Sequence, residues 1–202
     1  MKFGPILFYS CPSCSVVHSK MSLLSGNTFD AITWSDGHQF APMLIEFTHI
    51  TKCSGCGTIF WLDDRTEVEH SSEDTTPSCN FLKLYEYQEF LSTAKTYTSE
   101  EERYLRTKFW RGMNNRVRKN EELFQNLDDE RLWKDNLMAL LDLIGTSETD
   151  ELIWRAEIYR NLGEFEESKK ILQRIDDSEL NWLVEAFEKE INAKNTKVFV
   201  FE

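Results

Sequence analysis

Cys-x-x-Cys occurs twice in this chain, as Cys11 and Cys14 in YSCPSCS (9–15) and as Cys53 and Cys56 in TKCSGCG (51–57). Two thiols at this spacing on a tight turn can face one acceptor. Two chemistries follow: thiolate ligation of a soft or borderline metal ion, and thiol–disulfide exchange. Pro12 pre-sets φ for a turn in the first pair. Gly55 and Gly57 permit left-handed backbone in the second, whereas Ser15 follows the first pair. Cys79 is unpaired in sequence and stays outside both readings. His18 and His49 lie near the pairs and are substitute ligands in principle, but four thiolates already complete a tetrahedral set.

Together the pairs resemble a zinc ribbon, in which two such knuckles come from β-hairpins. The resemblance implies one structural Zn²⁺ per chain, held by Cys11, Cys14, Cys53 and Cys56. The departure is the 38-residue insert between Cys14 and Cys53, about twice the usual gap. A hairpin with Asp36-Gly37 at its tip fits inside it as a decoration of the sheet. A competing resemblance starts at GPILFYSCPSC, which is similar to the strand-then-Cys-Pro-x-Cys opening of glutaredoxin-like proteins. It implies an oxidoreductase using Cys11 and Cys14, with Pro42 as the proline before a later strand. Against it, residues 15–40 hold Ser, Gly, Asn and Asp instead of a helix and a parallel strand, and the second pair is left without a purpose.

The elements that must position these residues follow from pattern. TFDAITWSDGHQFAPMLIEF reads as the hairpin just named, and GTIFWLDD as a strand leaving the second pair. Residues 66–80, polar and containing Pro77, read as a linker. From 81 onward the period turns helical. Ser99 with Glu102 has capping-box spacing, and Leu105, Phe109, Met113 and Val117 then recur every fourth residue. Trp133, Leu137, Leu140, Leu141 and Ile144 form a face that stops at Gly145. Leu180, Leu183, Val184, Phe187 and Ile191 form another. FLKLYEYQEF (81–90) fits strand or helix, and the Val198–Phe201 tail is β-prone. The expected fold class is α+β: a zinc-stabilised antiparallel β-domain (1–65), the linker (66–80) and an all-α helical-hairpin domain (81–202).

RAEIYRNLGEFEESKKILQRI (155–175) resembles a tetratricopeptide repeat over about 149–182. Ala156, Tyr159, Leu162 and Gly163 match its first helix and turn; Phe165, Ser168, Leu172 and Ile175 match its second. Ser168 and Ile175 depart from the usual residues. The resemblance implies a scaffold that binds a protein or peptide, with flanking helices stacked on the repeat.

Charge narrows the partners. The formal net charge is −12, which repels nucleic acid and anionic membranes at long range. One segment runs against it: Arg103, Arg106, Lys108, Arg111, Arg116, Arg118 and Lys119, interleaved with Tyr104, Phe109 and Trp110, and with no acid among them. This is the composition of a nucleic-acid contact. As a single helix its charges spread around the circumference, and acidic neighbours can neutralise it. Gly112 and Asn114-Asn115 are points where the helix could break and present the arginines on a loop. No apolar run approaches the roughly 20 residues of a membrane-spanning helix, and the start lacks the features of a signal peptide. A cytoplasmic setting is expected. No phosphate-binding loop, dinucleotide fingerprint, His-Glu-x-x-His or Gly-x-Ser-x-Gly occurs. The expectation is a non-catalytic zinc-binding adaptor. Nucleic-acid binding through 103–119 and thiol–disulfide exchange are the alternatives.

Overall fold

Short apolar runs broken by turn formers give eight strands in the first third of the chain, and a 3.6-residue period gives six helices after it, among the residues that the computed structural model describes (1–69, 75–93 and 97–201). The strands pair two by two. β1 (Lys2–Phe3) pairs with β4 (Leu23–Ser25), β2 (Leu7–Ser10) with β3 (Val17–Lys20), β5 (Ile32–Thr33) with β6 (Gln39–Phe40), and β7 (Ile50–Lys52) with β8 (Ile59–Trp61). The chain forms two compact units: Met1–Ala31 with Phe40–Glu86, and Ile32–Gln39 with Tyr87–Glu202.

In unit 1 the two longest pairings are antiparallel hairpins, with Tyr9 opposite His18 in one and Thr51 opposite Phe60 in the other. Their inward residues, Tyr9, Cys11, Cys53, Phe60 and Leu62, make one small core, against which Leu7, Val16 and Cys79 pack. The stretch 66–80 is not a free linker where it is described. Ser10 N donates to Thr66 O at 2.7 Å and Val68 N to Phe8 O at 2.9 Å, closing the open edge of β2. On the other side Ser19 N donates to Pro77 O at 2.8 Å and Cys79 N to Ser19 O at 2.7 Å, closing β3. Unpaired strand edges need such cover, and polar composition alone does not reveal it. Residues 70–74 of that stretch lie outside the described residues.

The second unit is helical: α1 (Leu84–Leu91), inside which the division falls, then α2 (Ser99–Arg118), α3 (Leu127–Leu143), α4 (Thr149–Asn161), α5 (Phe165–Leu172) and α6 (Asn181–Asn192). The ambiguous 81–90 stretch is therefore helix from Leu84. The capping box of α2 sits one residue earlier than the sequence signature placed it: Thr98 Oγ1 accepts from Glu101 N, and Glu101 Oε2 accepts from Thr98 N. α2 runs unbroken through Gly112 and Asn114-Asn115. The reason is burial: Leu105, Phe109, Trp110, Met113 and Asn114 are all fully buried, so packing outweighs poor local propensity.

α4 and α5 form the expected helical hairpin. Ser168, wholly buried, donates its hydroxyl to Ala156 O at 2.7 Å, so two small residues meet between the helices. Ala156, Leu172, Leu183, Phe187 and Ile191 form the core between α4, α5 and α6, with Phe199 and Phe201 of the tail packed on it. The tail pairs with the β5 segment: Trp34 bridges Val200, Ser35 N donates to Phe199 O at 2.8 Å, and Phe201 N to Thr33 O at 3.0 Å.

Candidate metal centre

The same turn is built twice in unit 1. β2 delivers Cys11, whose N–H donates to Val16 O at 2.9 Å, while Ser15 N donates to Cys11 O at 2.9 Å. β7 delivers Cys53, whose N–H donates to Thr58 O at 2.8 Å, while Gly57 N donates to Cys53 O at 2.9 Å. Each turn then feeds the return strand, β3 or β8. The residue after the second cysteine is left-handed in both, with φ 60° at Ser15 and 77° at Gly57. Glycine adopts that conformation freely; a serine is strained there by about 1 kcal/mol.

The two turns face each other. Cys11 Sγ lies 3.7 Å from Cys56 Sγ, and Cys14 Sγ 3.5 Å from Cys53 Sγ. All four sulfurs fall within 4.8 Å of one another. A tetrahedron of sulfurs about 2.3 Å from a zinc ion has edges of about 3.8 Å. The two close pairs, each drawing one sulfur from each turn, are near that edge length, and the whole group is compact enough for one metal ion. Cys11 and Cys53 are buried and Cys14 and Cys56 exposed, so the site has an inner and an outer half. No family model, curated protein or solved structure matches this chain. The metal reading stands on this geometry.

The thiols differ in acidity. At Cys56 hydrogen bonds from the Thr58 hydroxyl and then the Thr58 amide favour the thiolate and bring the pKa down to about 6. At Cys14 the Val16 amide favours the thiolate, but proton-sharing with the Cys56 and Cys53 sulfurs outweighs it and pushes the pKa up to about 12. Burial raises Cys11, and burial raises Cys79, which packs outside the sulfur group, to about 11. Cys11 is the first cysteine of its pair and the nucleophile an oxidoreductase would use, yet it is 1% exposed and raised. A turn and β3 follow Cys14, where the glutaredoxin-like arrangement has a helix N-terminus to lower that thiol.

Neither histidine joins the sulfurs. His49 is exposed. His18 is wholly buried, with Nε2 accepting from Ser54 N at 3.1 Å and Nδ1 3.2 Å from Val16 O.

The basic segment has a different fate from an exposed stripe. Arg106 pairs with Glu102 at 2.7 Å, one turn back. Arg116 donates to Asp129 at 2.7 Å and to Leu123 O at 2.9 Å, all buried. Arg118 and Asn114 both donate to Asp36 Oδ2, the latter at 2.7 Å, and Arg111 donates to Asp36 O at 3.2 Å. Lys108 stands 5.4 Å from the Tyr104 ring. Arg103 and Lys119 are exposed. In the turn Trp34–Gly37, Ser35 and Asp36 are fully buried, and a Cβ added at Gly37, whose φ is 69°, would stand 3.0 Å from Arg111 Nη2 and 3.1 Å from Trp154 Nε1.

A second buried ion pair supports that turn. Glu157 and Arg160 are both fully buried and bidentate, at 2.8 and 2.7 Å. Ser35 Oγ and Asn161 Nδ2 donate to Glu157 Oε1 at 2.7 and 2.9 Å, and Trp110 Nε1 donates to Asn161 Oδ1 at 2.9 Å. In the sequence Asp36 reads only as a turn residue, and Glu157 does not stand out. The only available signal was the i, i+3 spacing of Glu157 and Arg160, which surface pairs share. Among the described residues no helix is long and apolar enough to cross a membrane.

Proposed function

We propose that this protein is a non-catalytic zinc-binding interaction protein, in which one Zn²⁺ on Cys11, Cys14, Cys53 and Cys56 closes unit 1 and the helical unit receives a protein or peptide partner. The observation that carries the zinc reading is the cluster of four sulfurs brought together by two equivalent turns. Four thiolates leave zinc no open position, which favours a structural over a catalytic site. The unit is also small enough to need a staple: two of the five residues in the core cluster at the site are the cysteines themselves. With zinc bound, the thiolates are deprotonated together and the protons leave on loading.

The helical hairpin of α4 and α5 supports the partner-binding reading. The commitment of Arg106, Arg111, Arg116 and Arg118 to internal partners supports a protein-facing role over nucleic acid for 103–119. A cytoplasmic location accords with reduced thiols.

Metal content of chain purified without added metal or chelator tests the reading. About one zinc per chain is expected, with four thiols released to a thiol reagent only after chelation, and with loss of unit 1 structure while the helices persist. Metal-free protein with reactive thiols in the folded state would refute the structural site. Salt-dependent retention on an immobilised polyanion, abolished by Arg103→Ala with Lys119→Ala, would restore the nucleic-acid alternative. These exposed positions are the informative ones, because replacing Arg116 or Arg118 would disturb the fold.

A further inference from the structure

The two cysteine turns share a backbone course but are held by different means. In Cys11-Pro12-Ser13-Cys14 the second position is proline, whose ring fixes φ and which has no N–H. In Cys53-Ser54-Gly55-Cys56 that position is Ser54, followed by the most permissive residue of all. Nothing covalent sets this turn, and its extra amide is a donor that needs a partner.

His18 supplies that partner. Its Nε2 accepts from Ser54 N at 3.1 Å, with Ser54 Oγ at 3.3 Å. The histidine belongs to β3, the strand that leaves the first turn, so this bond ties one turn to the other. The ring is fully buried, stands edge-on to Phe60 at 5.8 Å and 64°, and has Nδ1 3.2 Å from Val16 O. Both contacts are satisfied by one tautomer, in which Nδ1–H donates to Val16 O and Nε2 accepts from Ser54 N. An imidazole pinned at both nitrogens is not available as a ligand.

We propose that His18 is a positioning residue for the metal centre, holding the Cys53–Cys56 turn in its ligating shape before metal arrives, as Pro12 holds the Cys11–Cys14 turn. The proposal rests on the four-thiolate reading above. Its physical basis is preorganisation: a Ser-Gly turn left to itself must be ordered when metal binds, and that cost is subtracted from affinity. Partners outside the ligand shell commonly change metal affinity 10- to 100-fold, roughly, when removed.

The test uses the full chain. His18→Phe keeps a ring against Phe60 and removes the acceptor; Ser54→Pro removes the donor and gives the second turn the residue that the first one has. Zinc affinity is measured by competition with a chromogenic chelator. Alkylation of Cys53 and Cys11, the two buried thiols, is followed in metal-free protein. His18→Phe is expected to lower affinity about tenfold or more and to speed alkylation of Cys53 but not of Cys11. Adding Ser54→Pro to His18→Phe is expected to recover most of the affinity. Unchanged affinity in His18→Phe overturns the proposal, and so does equal exposure of Cys11 and Cys53, which is general loosening, or absence of rescue. Should His18→Phe fail to fold, His18→Gln retains an acceptor and is expected to bind zinc nearly as the natural chain does; a tenfold loss there overturns the proposal. A natural chain that takes up no zinc defeats the four-thiolate reading itself, and that is seen before any variant is made.

Discussion

Among single residues, Ser15 and Cys56 carry the clearest consequences. Ser15 occupies a left-handed position that Gly57 fills without strain in the companion turn. Ser15→Gly should stabilise unit 1 by about 0.5 kcal/mol, the relief of strain being partly offset by the greater freedom of glycine in the unfolded chain. Denaturant unfolding read from the unit 1 tryptophan Trp61 checks this; a destabilised variant would mean that Ser15 has a role the turn geometry does not express. Cys56 is depressed to about 6 by Thr58. In metal-free protein its alkylation should therefore rise through a midpoint near pH 6, ahead of Cys11, Cys14 and Cys79, and Thr58→Val should move that midpoint upward. The sign for stability follows. A depressed folded-state pKa favours the metal-free fold above the ordinary thiol range, and that contribution is lost as pH falls through about 6.

At the scale of elements, the notable fact is how the β5–β6 turn is anchored in the helical unit. Asp36 is fully buried against Arg118 and Asn114 on α2, and Ser35 reaches Glu157 on α4. Asp36→Ala leaves the Arg118 guanidinium, 9% exposed, without its counter-charge. Breaking a buried pair from one side typically costs about 3–5 kcal/mol, and unit 2 should lose stability by roughly that amount. Helical circular dichroism during urea unfolding measures it. A loss under about 1 kcal/mol would show that the pair is wetter than its burial implies. The same anchoring explains why α2 carries so many arginines: three of them, Arg111, Arg116 and Arg118, serve buried oxygens.

For the molecule as a whole, the chain path is interleaved. Residues 32–39 belong to the helical unit yet lie in sequence between Cys14 and Cys53, so the chain passes from unit 1 to unit 2 and back before the helices begin. A fragment starting at Tyr87 lacks this segment and with it the partners of Asn114, Arg118 and Glu157, and of the tail at Phe199 and Phe201. Such a fragment should melt well below unit 2 of the full chain, and a synthetic peptide spanning 32–39 should raise its melting temperature. A fragment as stable as the full chain would show that the segment is an accessory, not a component.

Much of this was legible in local sequence. Two Cys-x-x-Cys pairs, a turn at Asp36-Gly37, apolar residues at helical period from 105 and from 133, and a small-residue helical hairpin at 156–168 all lie where short-range rules put them. These features depend on spacing along one turn, strand or helix, and spacing is written in the sequence. Four matters were decided only by tertiary structure: residues 66–68 and 77–79 edging β2 and β3, α2 passing intact through Gly112, Arg116 and Arg118 turning inward, and 32–39 joining the helices. Each depends on a partner outside its own helix or strand that pays for desolvating a polar group or for holding a poor helix former in place, and no local pattern names that partner. The four-sulfur cluster lies between these cases. Sequence determined which four atoms are chemically suited to meet, and the packing of two hairpins around Tyr9, Phe60 and Leu62 decided that they do.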